Sequence, residues 1–203
     1  MTALELADII GIICFALSGF LIAVHYKLDI LGVFISAFLT ALGGGMTRDV
    51  LASKTPYVFT DTTPVLLVMA TVLISLILKL HKIDDLEGKT VFIISDAVGL
   101  VSFAITGALV AIDNEFNFLG VLILAFITAV GGGTIRDILI NRVPSILVSE
   151  FYATVAIIVG LVTYGLHLLG LHSLFTLILV FIAGVALRLL AYYRNWHLPT
   201  LSK

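Results

Sequence analysis

A triplet of glycines, Gly43–Gly45, lies deep in an apolar stretch and is followed by Arg48 and Asp49, and the same pattern recurs 88 residues later. Displacing the sequence by 88 positions aligns residues 8–56 with residues 96–144 without a gap, and 22 of these 49 pairs are identical. Self-similarity at a fixed period is the signature of an internal duplication. The chain is therefore expected to fold as two related units.

The composition indicates that both units lie in a membrane. Hydrophobic residues make up 61% of the chain and charged residues 12%, with a mean hydropathy of +1.21. Soluble domains carry about 25% charged residues. The chain has one cysteine, Cys14, so no intrachain disulfide can form. We expect no cofactor, no bound metal ion and no nucleic-acid partner.

Seven apolar stretches are long enough to cross about 30 Å of hydrocarbon. The sequence predicts an all-α membrane protein with seven transmembrane helices. Because three crossings end on the opposite side, the second three-helix unit is expected to be inverted, which gives a 3+3 repeat plus one C-terminal helix. We assign residues 1–81 to the first unit, 91–169 to the second, and 173–203 to the seventh helix and a tail. The stretches are Leu6–Val24, Ile30–Leu51, Val65–Leu80, Val91–Ile112, Phe118–Ile140, Leu147–Leu168 and Ser173–Ala191.

Basic residues collect on one side of this predicted topology. We call the side of the membrane that holds the N-terminus the first side, and we leave out the arginines beside the glycine triplets. Lys54 is then the only lysine or arginine on the first side. Cytoplasmic loops are enriched in lysine and arginine, so the second side and the C-terminus are expected to be cytoplasmic, with the N-terminus outside. We expect a multi-pass protein of the inner or plasma membrane. The second side holds Lys27, Lys79, Lys82, Lys89, Arg142, Arg188, Arg194 and Lys203.

The glycine triplets predict that helices 2 and 5 are broken. Each glycine costs about 1 kcal/mol relative to alanine in a helix interior, and close helix packing needs small residues one turn apart rather than in a row. Backbone freed by a break is tolerated where it lines a wet cavity. By contrast, Gly11, Gly19, Gly99 and Gly107 suit close packing. The candidate pore or hinge residues are Gly43, Gly44, Gly45, Gly131, Gly132, Gly133, Thr40 and Thr128.

Charged residues beside the triplets complete the candidate site. Charge within a membrane marks an ion or substrate path by default, although an arginine near a helix end can also reach the lipid headgroups. Consecutive helix residues point about 100° apart, so Asp49 is not expected to neutralise Arg48. Asp8 and Arg48 are expected at the same depth in the membrane, as are Asp96 and Arg136, so each two are predicted to pair. Asp49 and Asp137 either attract cations, cap a helix or form hydrogen bonds on the packing side. The candidate pore or gate charges are Arg48, Asp49, Arg136, Asp137, Asp8 and Asp96.

The duplicated motifs, Ala-Leu-Gly-Gly-Gly-Met-Thr-Arg-Asp and Ala-Val-Gly-Gly-Gly-Thr-Ile-Arg-Asp, together with the 3+3+1 arrangement, resemble the trimeric intracellular cation channels (TRIC). Their bacterial relatives are also grouped as a glycine transporter family. The resemblance covers nearly all of the chain. It implies a homotrimer among membrane lipids, each protomer with an hourglass pore bent around the glycines of helices 2 and 5. That pore conducts monovalent cations, chiefly potassium.

Two transport functions remain open from the residues themselves. A channel suits the short loops and the two equivalent glycine motifs, whereas a carrier for a small zwitterion such as glycine suits the same inverted repeat with broken helices. An enzyme is not expected, because a serine nucleophile such as Ser18 needs a histidine base at matching depth. The histidines lie at or near the ends of the predicted spans: His25, His81, His167, His172 and His197.

The predicted topology can be tested by cysteine labelling. In a background with Cys14 replaced, cysteines at Asp61 and Asp113 should react with a membrane-impermeant reagent from outside only, because both turns face outside in the predicted arrangement. Labelling of position 113 solely from the cytoplasm would contradict the inverted repeat.

Overall fold

The computed structural model of the chain describes residues 2–82, 90–148 and 151–196, so the predicted basic flanks at Lys89 and Lys203 lie outside the described residues. Within these ranges the fold is all-helical, as predicted. Helix α6 is a single turn, and short 3-10 helices flank α3 at Tyr57–Phe59 and Leu80–Lys82. The α-helices are α1 (Ala3–His25), α2 (Ile30–Leu51), α3 (Thr63–Ile77), α4 (Thr90–Asp113), α5 (Phe118–Leu139), α6 (Ser145–Val148), α7 (Tyr152–Leu168) and α8 (Leu174–Tyr193).

Five of the described helices, α1, α2, α4, α5 and α8, have the length and hydropathy of a membrane span. Helix α3 has 15 residues and α7 has 17, so α3 extends about 22 Å, less than the thickness of the hydrocarbon layer. The predicted stretch Val65–Leu80 begins two residues after the start of α3 and ends three residues beyond the end of this helix, and Leu147–Leu168 begins five residues before α7. Lys79 and Phe151 adopt left-handed conformations, with φ of 55° and 49°, just after α3 and just before α7.

Equivalent residues build equivalent helix ends in the two units. Asp29 accepts the N–H of Gly32 at 2.7 Å to begin α2, and Asn117 accepts the N–H of Gly120 at 2.9 Å to begin α5. The displacement of 88 positions also relates the buried faces of α3 and α7, so the duplication extends through the third helix of each unit. These buried positions are Pro64, Val68, Val72 and Ser75 on α3, and Tyr152, Ala156, Gly160 and Thr163 on α7.

Helices α1 and α4 pack against each other through two reciprocal contacts. Phe15 of α1 lies over Gly99 of α4, and Phe103 of α4 lies over Gly11 of α1. The two rings meet edge to face with centroids 5.3 Å apart, a favourable arrangement for aromatic pairs. The order of these contacts means that α1 and α4 run antiparallel. It also confirms the prediction that Gly11 and Gly99 serve packing, because each leaves the space that the opposite phenylalanine fills.

The middle glycine of each triplet lets α2 and α5 touch backbone to backbone. A Cβ on Gly44 would overlap the carbonyl oxygen of Thr128, and a Cβ on Gly132 would overlap that of Thr40. Both helices remain α-helical through their triplets. The prediction that the triplets break the helices was therefore wrong. Gly44 and Gly132 are instead the tightest contacts of the crossing, and Cβ atoms on Gly43 and Gly131 would also come within 3.4 Å of the opposing backbone.

The last glycine of each triplet faces charged side chains instead of a helix backbone. The nearest atom to a Cβ placed on Gly45 is Nη2 of Arg48, at 4.0 Å. A Cβ on Gly133 would lie 3.7 Å from Nη2 of Arg136 and 3.8 Å from the hydroxyl of Tyr152. These are ordinary contact distances, so both positions have room for a small side chain.

This difference between neighbouring glycines predicts different costs of substitution. Gly44→Ala should lower the free energy of unfolding by about 1–3 kcal/mol, because the added methyl group overpacks a contact with a backbone carbonyl. Gly45→Ala is the matched control and should leave it unchanged or raise it by up to about 1 kcal/mol, since no atom lies closer than 4.0 Å to the added group and alanine favours the helix. Thermal unfolding of the purified variants measures both. Equal melting temperatures would show that α2 and α5 do not touch at Gly44.

Candidate functional site: two buried arginine–aspartate clusters

The first charged cluster, Asp8, Arg48 and Asp49, joins α1 to the C-terminal turn of α2. Nη1 of Arg48 lies 2.8 Å from Oδ1 of Asp8, which is the predicted pair. The side chain of Arg48 is 6% exposed and that of Asp8 is 18% exposed. An arginine buried to this extent needs its opposite charge close by.

The adjacent aspartate also contacts the arginine, which the sequence argument had excluded. Nε of Arg48 donates to Oδ1 of Asp49 at 2.9 Å. Consecutive side chains leave the helix about 100° apart, but this angle fixes only their first bond. A guanidinium carries five donors at the end of a long flexible chain, so it can fold back to a neighbour while a second edge binds another partner.

The second oxygen of this aspartate holds the connector after the helix. Oδ2 of Asp49 accepts the backbone N–H of Tyr57 at 2.9 Å, and Oδ2 of Asp137 accepts the backbone N–H of Ser145 at 2.8 Å. Tyr57 and Ser145 are themselves 88 positions apart. Each aspartate therefore bridges its arginine and the connector that follows the helix. This is a structural hydrogen-bonding role, similar to the helix capping that the sequence left open as an alternative to attracting cations.

The second charged cluster, Asp96, Arg136 and Asp137, repeats this arrangement with one change. Nη2 of Arg136 lies 2.9 Å from Oδ1 of Asp137, but Nη1 lies 3.9 Å from Oδ1 of Asp96. Ser18 of α1 bridges that longer gap, because its Oγ accepts from Nη1 of Arg136 at 3.1 Å and donates to Oδ1 of Asp96 at 3.3 Å. The predicted pair is thus close but partly mediated by a hydroxyl from the other unit.

Three further side chains lie against the second cluster. The Cζ atom of Arg188, on α8, is 4.9 Å from the centroid of the Tyr152 ring, and Cζ of Arg136 is 6.0 Å from that of Phe92. Sequence reasoning did not assign these residues to the site. The similarity between the two halves of the sequence was traced only as far as Pro144. The equivalence of Tyr152 with Pro64 is therefore visible only when the buried faces of α3 and α7 are compared.

The two candidate threonines bond to the backbone of their own helices. Thr40 and Thr128 are fully buried, and each hydroxyl donates to the carbonyl oxygen four residues earlier at 2.6 Å. Such back-bonding is common for threonine in helices. Their Oγ1 atoms also lie 2.7 Å from where a Cβ on Gly19 or Gly107 would stand, which confirms that these two glycines serve close packing.

A cavity of about 450 Å³ opens beside the first cluster. A narrow space of about 30 Å³ shares part of this lining and is bordered by Gly45 and Phe103; Asp8, Arg48 and Asp49 line both spaces. Among the described residues, the charged groups lining the wider cavity are three carboxylates and two cations, a net charge of −1. They are Glu5, Asp8, Asp49, Arg48 and Lys54.

The rim of this cavity is organised by Tyr57 and Asp61. The hydroxyl and backbone N–H of Thr63 hold the pKa of Asp61 below its usual range, with a further hydrogen bond from Tyr57. The hydrogen bond to Asp61 raises the pKa of Tyr57. The carboxylate thereby ties the connector that borders the cavity to the beginning of α3.

These features define a class of protein: a multi-pass helical membrane protein built from duplicated three-helix units, with a buried arginine–aspartate cluster in each. The family described as Glycine transporter matches residues 5–81 and 93–168. The chain belongs to this family, as a prokaryotic member of the TRIC group.

Relatives and solved structures agree with this assignment. UPF0126 membrane protein YvgT of Bacillus subtilis (strain 168) is 38% identical over 200 residues, covering 98% of this chain and 97% of that protein. A prokaryotic TRIC channel determined in 0.5 M KCl superposes with a TM-score of 0.85 at 34% identity, covering 96% of this chain and 98% of that one. The TRIC trimeric intracellular cation channel orthologue from Rhodobacter sphaeroides superposes with a TM-score of 0.87 at 27% identity, covering 96% and 100%.

The two clusters should respond differently to loss of a carboxylate. Breaking a buried ion pair by removing one partner costs about 3–5 kcal/mol. Asp96→Asn should therefore lower the melting temperature more than Asp8→Asn, because Arg136 is 1% exposed and Arg48 is 6% exposed. Asp29→Asn is the matched control, since asparagine caps a helix as well as aspartate does. Equal losses at positions 8 and 96 would show that water screens both clusters alike.

Proposed function

We propose that this protein is a monovalent cation channel, chiefly for potassium, with a pore through each protomer of a homotrimer. The observation that carries the proposal is the cavity of about 450 Å³, whose charged lining residues sum to −1, together with the narrow space of about 30 Å³ that shares Asp8 and Arg48 with it and is bordered by Gly45. A net negative charge on a vestibule raises the local concentration of cations. The similar solved structures are of TRIC cation channels.

The proposal includes seven membrane spans and inverted repeats. The antiparallel contacts of α1 with α4 support the inversion, because they set equivalent ends of the two units at opposite ends of the fold. The predominance of lysine and arginine on the second side supports a cytoplasmic C-terminus and an external N-terminus. In this orientation the first cluster forms the outer mouth of the pore and the second cluster forms the inner mouth.

The pore follows α2 and α5, between the two mouths. Gly45 and Gly133 leave room beside the arginines, whereas Gly44 and Gly132 hold the helices in backbone contact. The proposed passage runs beside that contact, past Gly45 and Gly133, and membrane lipids surround the outer helices.

A carrier for a small zwitterion such as glycine is the second candidate. A cavity of about 450 Å³ is large enough for an amino acid, and it contains both carboxylates and cations. The arrangement favours the channel, because Nε and Nη1 of Arg48 already bind Asp49 and Asp8. A substrate carboxylate would have to displace one of these partners. Neither candidate involves a catalytic residue.

Electrical recording separates the two functions. Purified protein in planar bilayers under a potassium gradient should give unitary currents that reverse near the potassium equilibrium potential. Vesicles prepared in parallel should take up no glycine above the level of protein-free vesicles. Glycine uptake without unitary currents would overturn the channel in favour of the carrier.

The charge of the vestibule provides a more specific prediction. Glu5→Gln should lower the unitary potassium conductance by about a third to a half at 0.05 M KCl and hardly at 1 M, because salt screens an exposed charge. Glutamine preserves the capping box that Glu5 forms with Thr2. Glu115→Gln, which does not line the cavity, is the matched control. A loss of conductance independent of salt would contradict an electrostatic role of the vestibule.

A further inference from the structure

The two charged clusters differ in their access to solvent although their sequences are equivalent. In the first cluster, Asp8 is 18% exposed and Arg48 is 6% exposed. In the second, Asp96 is 10% exposed and Arg136 is 1% exposed. Since the arginine–aspartate motif is the same in both, the difference comes from the side chains around it.

Larger side chains stand at the second cluster where smaller ones line the first cavity. Leu4 and Pro64 line the open cavity. The positions displaced by 88 residues are Phe92 and Tyr152, and Tyr152 is 4% exposed. The hydroxyl of Tyr152 is also 3.8 Å from the Cβ position of Gly133, the counterpart of the glycine that lines the narrow space beside the first cluster. Tyr152 thus occupies the volume that is open in the first unit.

An arginine from outside the duplication holds this tyrosine. Arg188 belongs to α8, which packs on α4 and α7 and has no counterpart in the first unit. Its Cζ lies 4.9 Å from the Tyr152 ring centroid and 5.8 Å from that of Tyr192, and the residue is 4% exposed. A guanidinium over an aromatic face at this distance is attracted to it, more strongly when water is excluded.

We propose that Tyr152, clamped by Arg188, is a plug that closes the mouth at the second cluster, and that displacement of α8 relative to α7 releases it. This inference rests on the proposed channel function and identifies its gate on one side only. The first mouth is permanently open to solvent, while the second opens when the tyrosine leaves the arginine–aspartate cluster.

Thiol accessibility tests the plug without relying on conduction. In a background with Cys14→Ser, cysteines at Gly45 and Gly133 occupy equivalent positions with room for a side chain. In nanodiscs, where both faces are accessible, an impermeant thiol reagent should label position 45 readily and position 133 slowly. Adding Tyr152→Ala should accelerate labelling at 133 by on the order of tenfold, because the ring that covers it is gone.

Matched variants separate a plug from a general loosening of the fold. Tyr152→Phe keeps the ring and should leave position 133 protected. Pro64→Ala alters the equivalent position at the first mouth and should not change labelling at 133. If Tyr152→Ala does not fold, Arg188→Gln tests the same contact and should accelerate labelling by about 2- to 30-fold, the range that a cation–π contact supports. Unchanged labelling at 133 in the folded Tyr152→Ala and Arg188→Gln variants would overturn the plug.

Electrical recording of the same variants connects the plug to conduction. Tyr152→Ala and Arg188→Gln should raise the open probability and leave the unitary conductance of the open state nearly unchanged. Faster labelling at 133 with no current in any variant would support the plug and overturn the channel. Currents with an unchanged open probability would support the channel and overturn Tyr152 as its gate.

Discussion

The direct contact of two helix backbones at Gly44 and Gly132 is the constraint on which the rest of the structure depends. Because neither residue has a side chain, α2 and α5 approach until each meets a threonine carbonyl of the other. This approach sets the separation of the two units and directs the arginines, one turn beyond the crossing, towards α1 and α4. The charged clusters are consequences of that approach, since an arginine at this depth needs aspartates from both its own helix and a neighbour.

The duplication, the apolar composition and the two pairs of opposite charge could be read from the sequence, because each depends on residue identity at a fixed spacing. Asp8 and Arg48 were matched by depth alone, and the structure brings them within 2.8 Å. The role of the glycine triplets could not be read in this way. Consecutive glycines are compatible with unwinding or with close approach, and only the position of the opposing helix decides between them.

Two features of the charged clusters could not be predicted from the sequence, each for a different physical reason. The contact of Arg48 with Asp49 was excluded by the directions of consecutive side chains, although the reach and the several donors of a guanidinium overcome that separation. Tyr152 and Arg188 escaped because helices α7 and α8 carry little identity to the first unit. Their relation to the second cluster is a tertiary contact between helices with no shared motif.

The unequal surroundings of the two clusters have a consequence for the direction of ion flow. In the proposed pore, one mouth is a wide vestibule with a net charge of −1, while the other is packed with aromatic rings and an additional arginine. A pore with such ends gathers cations on one face and not on the other, so equal and opposite voltages drive unequal currents through it. Rectification is thus expected of the proposed channel, and it would arise from α8 and the large side chains of the second unit rather than from the duplicated motif itself.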